Sequence, residues 1–197
     1  VGNWFAPYCH HTRFTSNAAP PASGLPGSYG RTESRLMQRI ARLTPALAVT
    51  GALVPEDFAE IARLGFKSVI NNRVDGEEPG QLSSREETEL ARLAGLEYLY
   101  LPAAKHEVLD DHLVLPLAEA LDAMPGPILL HCRSGLRSTI MWTALRIDEG
   151  ALVDEMIEAA RAAGQDLTSL RDELADRAGL SAAGRAGTDC ADCQAAA

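Results

Sequence analysis

The clearest indication of the fold is the run Ile128-Leu129-Leu130-His131-Cys132-Arg133-Ser134-Gly135-Leu136-Arg137-Ser138. An apolar run leads into a cysteine, a short loop containing glycine, an arginine and a helical pattern. This order predicts a buried strand, a turn and the first turn of a helix. A loop placed there directs backbone N–H groups into one concavity, to which the helix dipole adds positive charge. We therefore predict an anion-binding loop over residues 132–138.

Cys132 lies at the base of this predicted loop and is our candidate nucleophile. The helix N-terminus and the neighbouring arginines favour its reactive thiolate form. Arg137 is the second candidate catalytic residue, because its planar fork suits phosphate-like or thiosulfonate-like groups. We expect Ser138 to donate to the thiolate or to cap the helix, and His131 to support the loop from behind. The other members of the loop are Arg133, Ser134, Gly135 and Leu136. The alternative is that Cys132 is only a small buried hydrophobe at a strand end.

Outside this stretch, short apolar runs alternate with helical patterns, which is typical of an α/β fold. The predicted strands are 40–43, 46–50, 66–71, 97–101 and 127–131. Helices are predicted from Pro55 up to Gly65, from an N-cap at Ser84 up to Gly95, and over 111–124, 138–149, 152–163 and 167–178. The fold class is thus a small, mostly parallel sheet flanked by helices, with a C-terminal three-helix segment.

The two ends of the chain differ from this patterned part. Residues 1–36 are rich in Pro, Gly and Ser and have no regular period, so we interpret them as a disordered extension upstream of a start at Met37. The domain is expected over 37–180, and 181–197 is expected to be a loose tail. Cys190 and Cys193 form a C-x-x-C in that tail. We favour an incidental pair, with a redox pair or a metal half-site as alternatives, and we expect neither metal nor cofactor.

The composition limits the classes of function. The chain has 197 residues with 18 Lys+Arg against 27 Asp+Glu, a formal charge of −9. No apolar run is long enough to span a bilayer, and the acidic balance argues against binding to nucleic acid. Four cysteines are too few for a disulfide scaffold, so we expect a cytoplasmic protein.

A polar loop over residues 71–81 follows a predicted strand and should share the carboxyl edge of the sheet with the Cys132 loop. Its candidate site residues are Asn72, Arg73, Asp75 and Glu77. We expect Arg73 to bind an anionic donor and Asp75 or Glu77 to hold Arg73 or Arg137. A turn with solvated charges is the alternative.

Several blocks of the sequence occur in an order that resembles one family. They are RLTP (42–45), GFKSVINNR (65–73), DGEEPGQ (75–81) and the Cys132 loop. The family is that of the phosphatase-like domain of β-lactamase hydrolase-like proteins. The resemblance implies a fold similar to dual-specificity phosphatases and either phosphatase or sulfurtransferase activity. It also implies a persulfide dioxygenase as a partner, because the domain is found fused to one.

The length of the loop and the residues after the fourth strand favour sulfur transfer over phosphate hydrolysis. Four residues separate Cys132 from Arg137, as is common in rhodanese-type sulfurtransferases, whereas phosphatases of the tyrosine-phosphatase type have five. Residues 103–107 contain no aspartate to act as general acid, and we expect Asp110, the next one, to be a helix N-cap.

We therefore expect a sulfurtransferase that takes sulfane sulfur from thiosulfate or a low-molecular-weight persulfide through a Cys132 persulfide. The alternative enzyme is a hydrolase of phosphomonoesters that acts through a Cys132 phosphocysteine. A module that only binds anions is the non-enzymatic alternative.

Overall fold

A five-stranded sheet forms the centre of the molecule. The structure, a computed structural model, describes residues 35–189, with side chains through residue 180. The strands are β1 (Ala41–Thr44), β2 (Leu47–Thr50), β3 (Ser68–Asn71), β4 (Glu97–Tyr100) and β5 (Ile128–His131). Their order is β1-β2-β5-β3-β4, with β1 antiparallel to β2 and all other pairs parallel. The predicted small, mostly parallel sheet is confirmed.

Within residues 35–189, six α-helices flank this sheet. They are α1 (Pro55–Arg63), α2 (Ser84–Ala94), α3 (Asp111–Ala123), α4 (Leu136–Asp148), α5 (Val153–Ala162) and α6 (Arg171–Asp189). Short 3-10 turns cover Met37–Arg39 and Thr168–Leu170. The three helices predicted after β5 are thus present.

The alternation of side chains along β5 separates two apolar layers. Ile128 and Leu130 belong to a core cluster with residues of α3, α4, α5 and α6, whereas Leu129 belongs to a second cluster with residues of α1 and α2. Successive side chains of a strand point to opposite faces. Since all four residues of β2, β3 and β5 are buried, these strands have helices on both faces, as expected for central parallel strands.

The structure corrects three local predictions. The N-cap of α2 is Ser83, whose hydroxyl accepts from the Glu86 N–H, and not Ser84. Leu36, which we placed in the extension, is only 2% exposed and packs in the α1–α2 layer. Helix α6 passes through Gly179 and continues to Asp189, because Gly179 lacks the positive φ with which a glycine ends a helix. Residues 1–34 and 190–197, including Cys190 and Cys193, lie outside the described residues.

The last residues of the four parallel strands form one row at the carboxyl edge of the sheet. In the strand register Thr50 pairs with His131, His131 with Asn71, and Asn71 with Tyr100. The loops that leave these four positions therefore begin side by side. This edge brings together the predicted anion-binding loop and the polar loop after β3.

Candidate active site

The Cys132 loop connects β5 to α4 as predicted. Helix α4 begins at Leu136, two residues before the predicted start, and Gly135 precedes it as N-cap with φ 92°. This left-handed backbone conformation favours glycine. The Cys132 side chain is buried, and the Gly135 N–H donates to its Sγ at 3.2 Å. The loop thus folds back over the sulfur and offers it a backbone hydrogen bond.

Two carbonyl groups of the loop are held away from the sulfur by neighbouring segments. The Ala52 N–H donates to the Arg133 carbonyl at 3.1 Å, and the Gln165 side-chain amide donates to the Ser134 carbonyl at 3.1 Å. A Cβ atom at Gly51 would lie 3.2 Å from the Arg133 oxygen, so glycine permits this close approach. Because both carbonyls accept hydrogen bonds from other segments, their oxygens are engaged away from the sulfur, which an oxyanion site requires.

The Arg137 guanidinium is buried beside the loop and is held from two sides. Its Nη2 lies 2.7 Å from Glu77 Oε2, and its Nη1 donates to the Ala103 carbonyl at 2.8 Å. Glu77 belongs to the loop after β3, whereas Ala103 follows β4. The orientation of Arg137 is thus set by residues distant in the sequence, and the predicted contact with Glu77 is present.

Glu77 also pairs with Arg73, whose Nε lies 3.2 Å from the same Oε2 atom. Burial opposes ionisation of Glu77, but hydrogen bonds and charge from Arg137 and then Arg73 outweigh it, so the pKa of the Glu77 carboxyl is lowered. Arg73 is 6% exposed and also pairs with Glu78. These carboxylates, rather than the anionic donor we expected, occupy its guanidinium.

Asp75 and Ser138 make contacts other than those we expected, and the new partner of Ser138 is Asn72. The Asp75 carboxylate accepts hydrogen bonds from the Ser84 N–H and hydroxyl, at 2.8 and 2.7 Å, and pairs with neither arginine. The Ser138 hydroxyl donates to Asn72 Oδ1 at 2.8 Å instead of donating to the thiolate. Asn72 and Ser138 therefore tie α4 to the loop after β3.

His131 lies behind the loop in a buried polar network. Its Nε2 is 3.0 Å from Glu87 Oε2, which also accepts hydrogen bonds from the Asn71 amide and the Tyr98 hydroxyl, each at 2.8 Å. Burial, and then the charge of Glu87, raise the pKa of the Tyr98 hydroxyl, which keeps it a donor. The supporting role predicted for His131 is consistent with this position. Glu87 lies three residues after Ser84, which we predicted as the N-cap, and it was not among our candidate site residues. Its place on the apolar face of α2 was the available signal.

A cavity of about 320 Å³ opens beside the loop. It is lined by Lys105, Arg133, Ser134, Leu136, Arg137 and Ile140. Neither nearby aspartate is among these residues: Asp110 lies at the N-cap of α3 without a side-chain capping bond, and Asp111 pairs with Arg177. The described residues thus place no aspartate on the lining of this cavity.

The described residues lack two features that belong to other classes of function. No group of three or more His, Cys, Asp or Glu side chains in the described part is arranged to hold a metal ion. None of its helices combines the length and apolarity needed to cross a bilayer.

The fold and site define a class of enzyme with a phosphatase-like α/β domain and a cysteine–arginine loop at the carboxyl edge of the sheet. Residues 39–149, more than half of the chain, match the family described as beta-lactamase hydrolase-like protein, phosphatase-like domain. The chain belongs to this family.

Individual relatives agree with this assignment. A beta-lactamase hydrolase-like protein of Xylella fastidiosa strain 9a5c is 32% identical over 130 residues, which span 66% of this chain but 30% of that protein. The solved structure of a Neisseria meningitidis Z2491 protein, provisionally described as a phosphatase, is 31% identical with TM-score 0.66, covering 70% of this chain and 97% of that one. The core catalytic domain of a PP-IP phosphatase from S. cerevisiae shares the fold at 17% identity and TM-score 0.53, covering 76% and 91%.

Proposed function

We propose that this domain hydrolyses phosphate monoesters through a covalent intermediate on Cys132. The observation that carries the proposal is the loop itself: the Gly135 N–H donates to the buried Cys132 Sγ, and the buried Arg137 guanidinium is held at the same loop by Glu77 and the Ala103 carbonyl. Pre-oriented donors of this kind stabilise the charge that develops on a transferred phosphoryl group. The phosphatase-like family and its relatives support this alternative more than the sulfur transfer that we expected first.

The reaction has two steps. The Cys132 thiolate attacks phosphorus, the bond from phosphorus to the ester oxygen breaks, and that oxygen leaves with a proton from solvent. Water then attacks the phosphocysteine, which releases inorganic phosphate and restores the thiolate. Arg137 and the loop N–H groups bind the phosphoryl oxygens throughout. With no aspartate on the cavity lining, the first step depends strongly on how well the leaving group departs.

Sulfur transfer remains a second candidate, favoured by the four-residue spacing between Cys132 and Arg137. The Cys132 thiolate would attack the outer sulfur of thiosulfate or of a low-molecular-weight persulfide, the S–S bond would break, and sulfite or a thiol would leave. The Cys132 persulfide would then pass its outer sulfur to an acceptor thiol. A persulfide dioxygenase partner belongs with this candidate. For either reaction we propose the reducing cytoplasm as the location, since the nucleophile is a free thiol.

One experiment separates the two candidates. Phosphate release from an aryl phosphate and intact mass after exposure to thiosulfate are measured on the full chain, with wild type and Cys132→Ser. We expect phosphate release that is lost in the variant. A Cys132-dependent gain of one sulfur atom without phosphate release would replace hydrolysis by sulfur transfer.

A further inference from the structure

The cavity beside the Cys132 loop combines an apolar floor with a cationic rim. Leu136 and Ile140 supply apolar surface, and Leu136 is 37% exposed. Lys105, Arg133 and Arg137 surround this surface. A site of this kind fits a ligand that has an apolar body and more than one negative charge.

Lys105 is the cation of this rim that no carboxylate of the described residues holds. Arg137 is held by Glu77, and Arg133 Nε lies 2.7 Å from Glu78 Oε1. Lys105 is exposed and makes no ion pair with any residue in the described part of the chain. It also lies in the segment after β4, where we had looked for a general acid and found none.

The local charge is opposite to that of the whole chain. Around the cavity, four cations lie near three carboxylates, a net charge of +1 with histidine counted as neutral, in a chain of −9 counted the same way. The cations are Lys105, Arg133, Arg137 and Arg73, and the carboxylates are Glu77, Glu78 and Glu107. His106 lies 3.6 Å from Glu107. Clustered positive charge in an acidic protein attracts small anions to one place on the surface.

We propose that this cavity holds the leaving group of the substrate and that Lys105 selects leaving groups with a second anionic group. The substrate class is then small phosphate monoesters in which an apolar body joins the phosphate to a carboxylate or a second phosphate. The inference rests on the proposed function only for the placement of the first phosphate. The volume of about 320 Å³ suits a small molecule, because such sites span about 300–1,000 Å³.

Binding to the Cys132→Ser chain tests the proposal without turnover. The probes are 4-carboxyphenyl phosphate and 4-carbamoylphenyl phosphate, in which an uncharged amide replaces the carboxylate. Their affinities are measured by calorimetry. We expect the carboxylate to bind about fivefold more tightly, which corresponds to about 1 kcal/mol for one partly exposed ion pair. Lys105→Met in the same background should remove this preference, and Lys105→Arg should retain it.

Lys67 provides the matched control, because it is exposed and lies just before β3, at the opposite edge of the sheet. Lys67→Met should leave the preference unchanged. Equal affinities for the two probes, a preference that survives Lys105→Met, or no binding of either probe would overturn the proposal. If the preference depends on Lys105 but the wild type hydrolyses neither probe, the proposed hydrolysis fails while the ligand assignment stands.

Discussion

Glu77 is the carboxylate on which the orientation of Arg137 depends, and Glu77→Gln tests this dependence. The substitution keeps the shape of the side chain and one acceptor oxygen but removes the charge. Glu77 Oε2 lies 2.7 Å from Arg137 Nη2 and 3.2 Å from Arg73 Nε, so one atom serves both arginines. The neutral amide therefore weakens two charge-assisted contacts in a single step.

The size of the effect follows from these contacts. A hydrogen bond to a charged group contributes about 1.5–3 kcal/mol, against about 1 kcal/mol for a neutral one. The Glu77 side chain is 22% exposed, so we expect the contribution of its hydrogen bonds to lie at the lower end of that range. We therefore expect unfolding to become easier by about 1–2 kcal/mol. If the same loss appears in the transition state through a misplaced Arg137, kcat/KM falls about 5- to 30-fold.

Glu78→Gln is the matched control for this measurement. Glu78 pairs with Arg73 and Arg133 but not with Arg137, so its loss should change kcat/KM by less than about threefold. Activity is measured with an aryl phosphate, and stability is measured by urea unfolding monitored by circular dichroism. Cys132→Ser defines the background rate.

The pH dependence of stability gives a second readout for Glu77. Burial opposes its ionisation, but the two arginines outweigh burial and lower its pKa below the ordinary 4.5. The stabilisation is therefore present above that ordinary pKa and is lost as the pH falls through the lowered one. In this acid range the free energy of unfolding of the wild type should fall to that of Glu77→Gln. If Glu77→Gln keeps wild-type activity and unfolds at the same urea concentration at neutral pH, Glu77 does not position Arg137 and our reasoning is refuted.

Three further predictions concern the loop and its support. Gly135→Ala should destabilise the chain by about 1–2 kcal/mol, because φ is 92° and the new Cβ would lie 3.2 Å from Gln165 Nε2. Urea unfolding measures this change, and Gly179→Ala in α6 is the control that should not destabilise. Equal stability changes in the two variants would contradict the prediction. Glu87→Gln should lower the free energy of unfolding by about 2 kcal/mol or more, because it removes the buried carboxylate that accepts hydrogen bonds from Asn71 and Tyr98. The control Glu97→Gln, at an exposed position, should change it by less than about 0.5 kcal/mol. Similar losses in both variants would argue against a stabilising network around Glu87. Arg137→Lys should lower kcat/KM for an aryl phosphate about 10- to 100-fold while the chain stays folded, since the point charge of lysine cannot replace the two donors of the planar guanidinium. Unchanged kinetics would show that Arg137 does not bind the phosphoryl group.

The buried strand and its loop were predictable because their signals are local. The apolar run before Cys132, the glycine at position 135 and the helical pattern after it each report on nearby backbone. The strands were placed to within about two residues for the same reason. The cap of α2 was misplaced by one residue because Ser83 and Ser84 are adjacent and each is followed three residues later by a glutamate. Propensity alone could not choose between them.

The α/β class and the pairing of a candidate nucleophile with an arginine on one short loop follow from the amino-acid sequence alone. Three features depend on the three-dimensional fold: which carboxylate holds Arg137, the position of Glu87 behind His131, and the position of Lys105 at the cavity. Periodicity and capping report whether a residue is buried and how its own backbone runs. They do not report which distant side chain meets it, because that depends on strand order and register. In this chain the order β2-β5-β3-β4 brings four strand ends into one row, and the site forms where their loops meet.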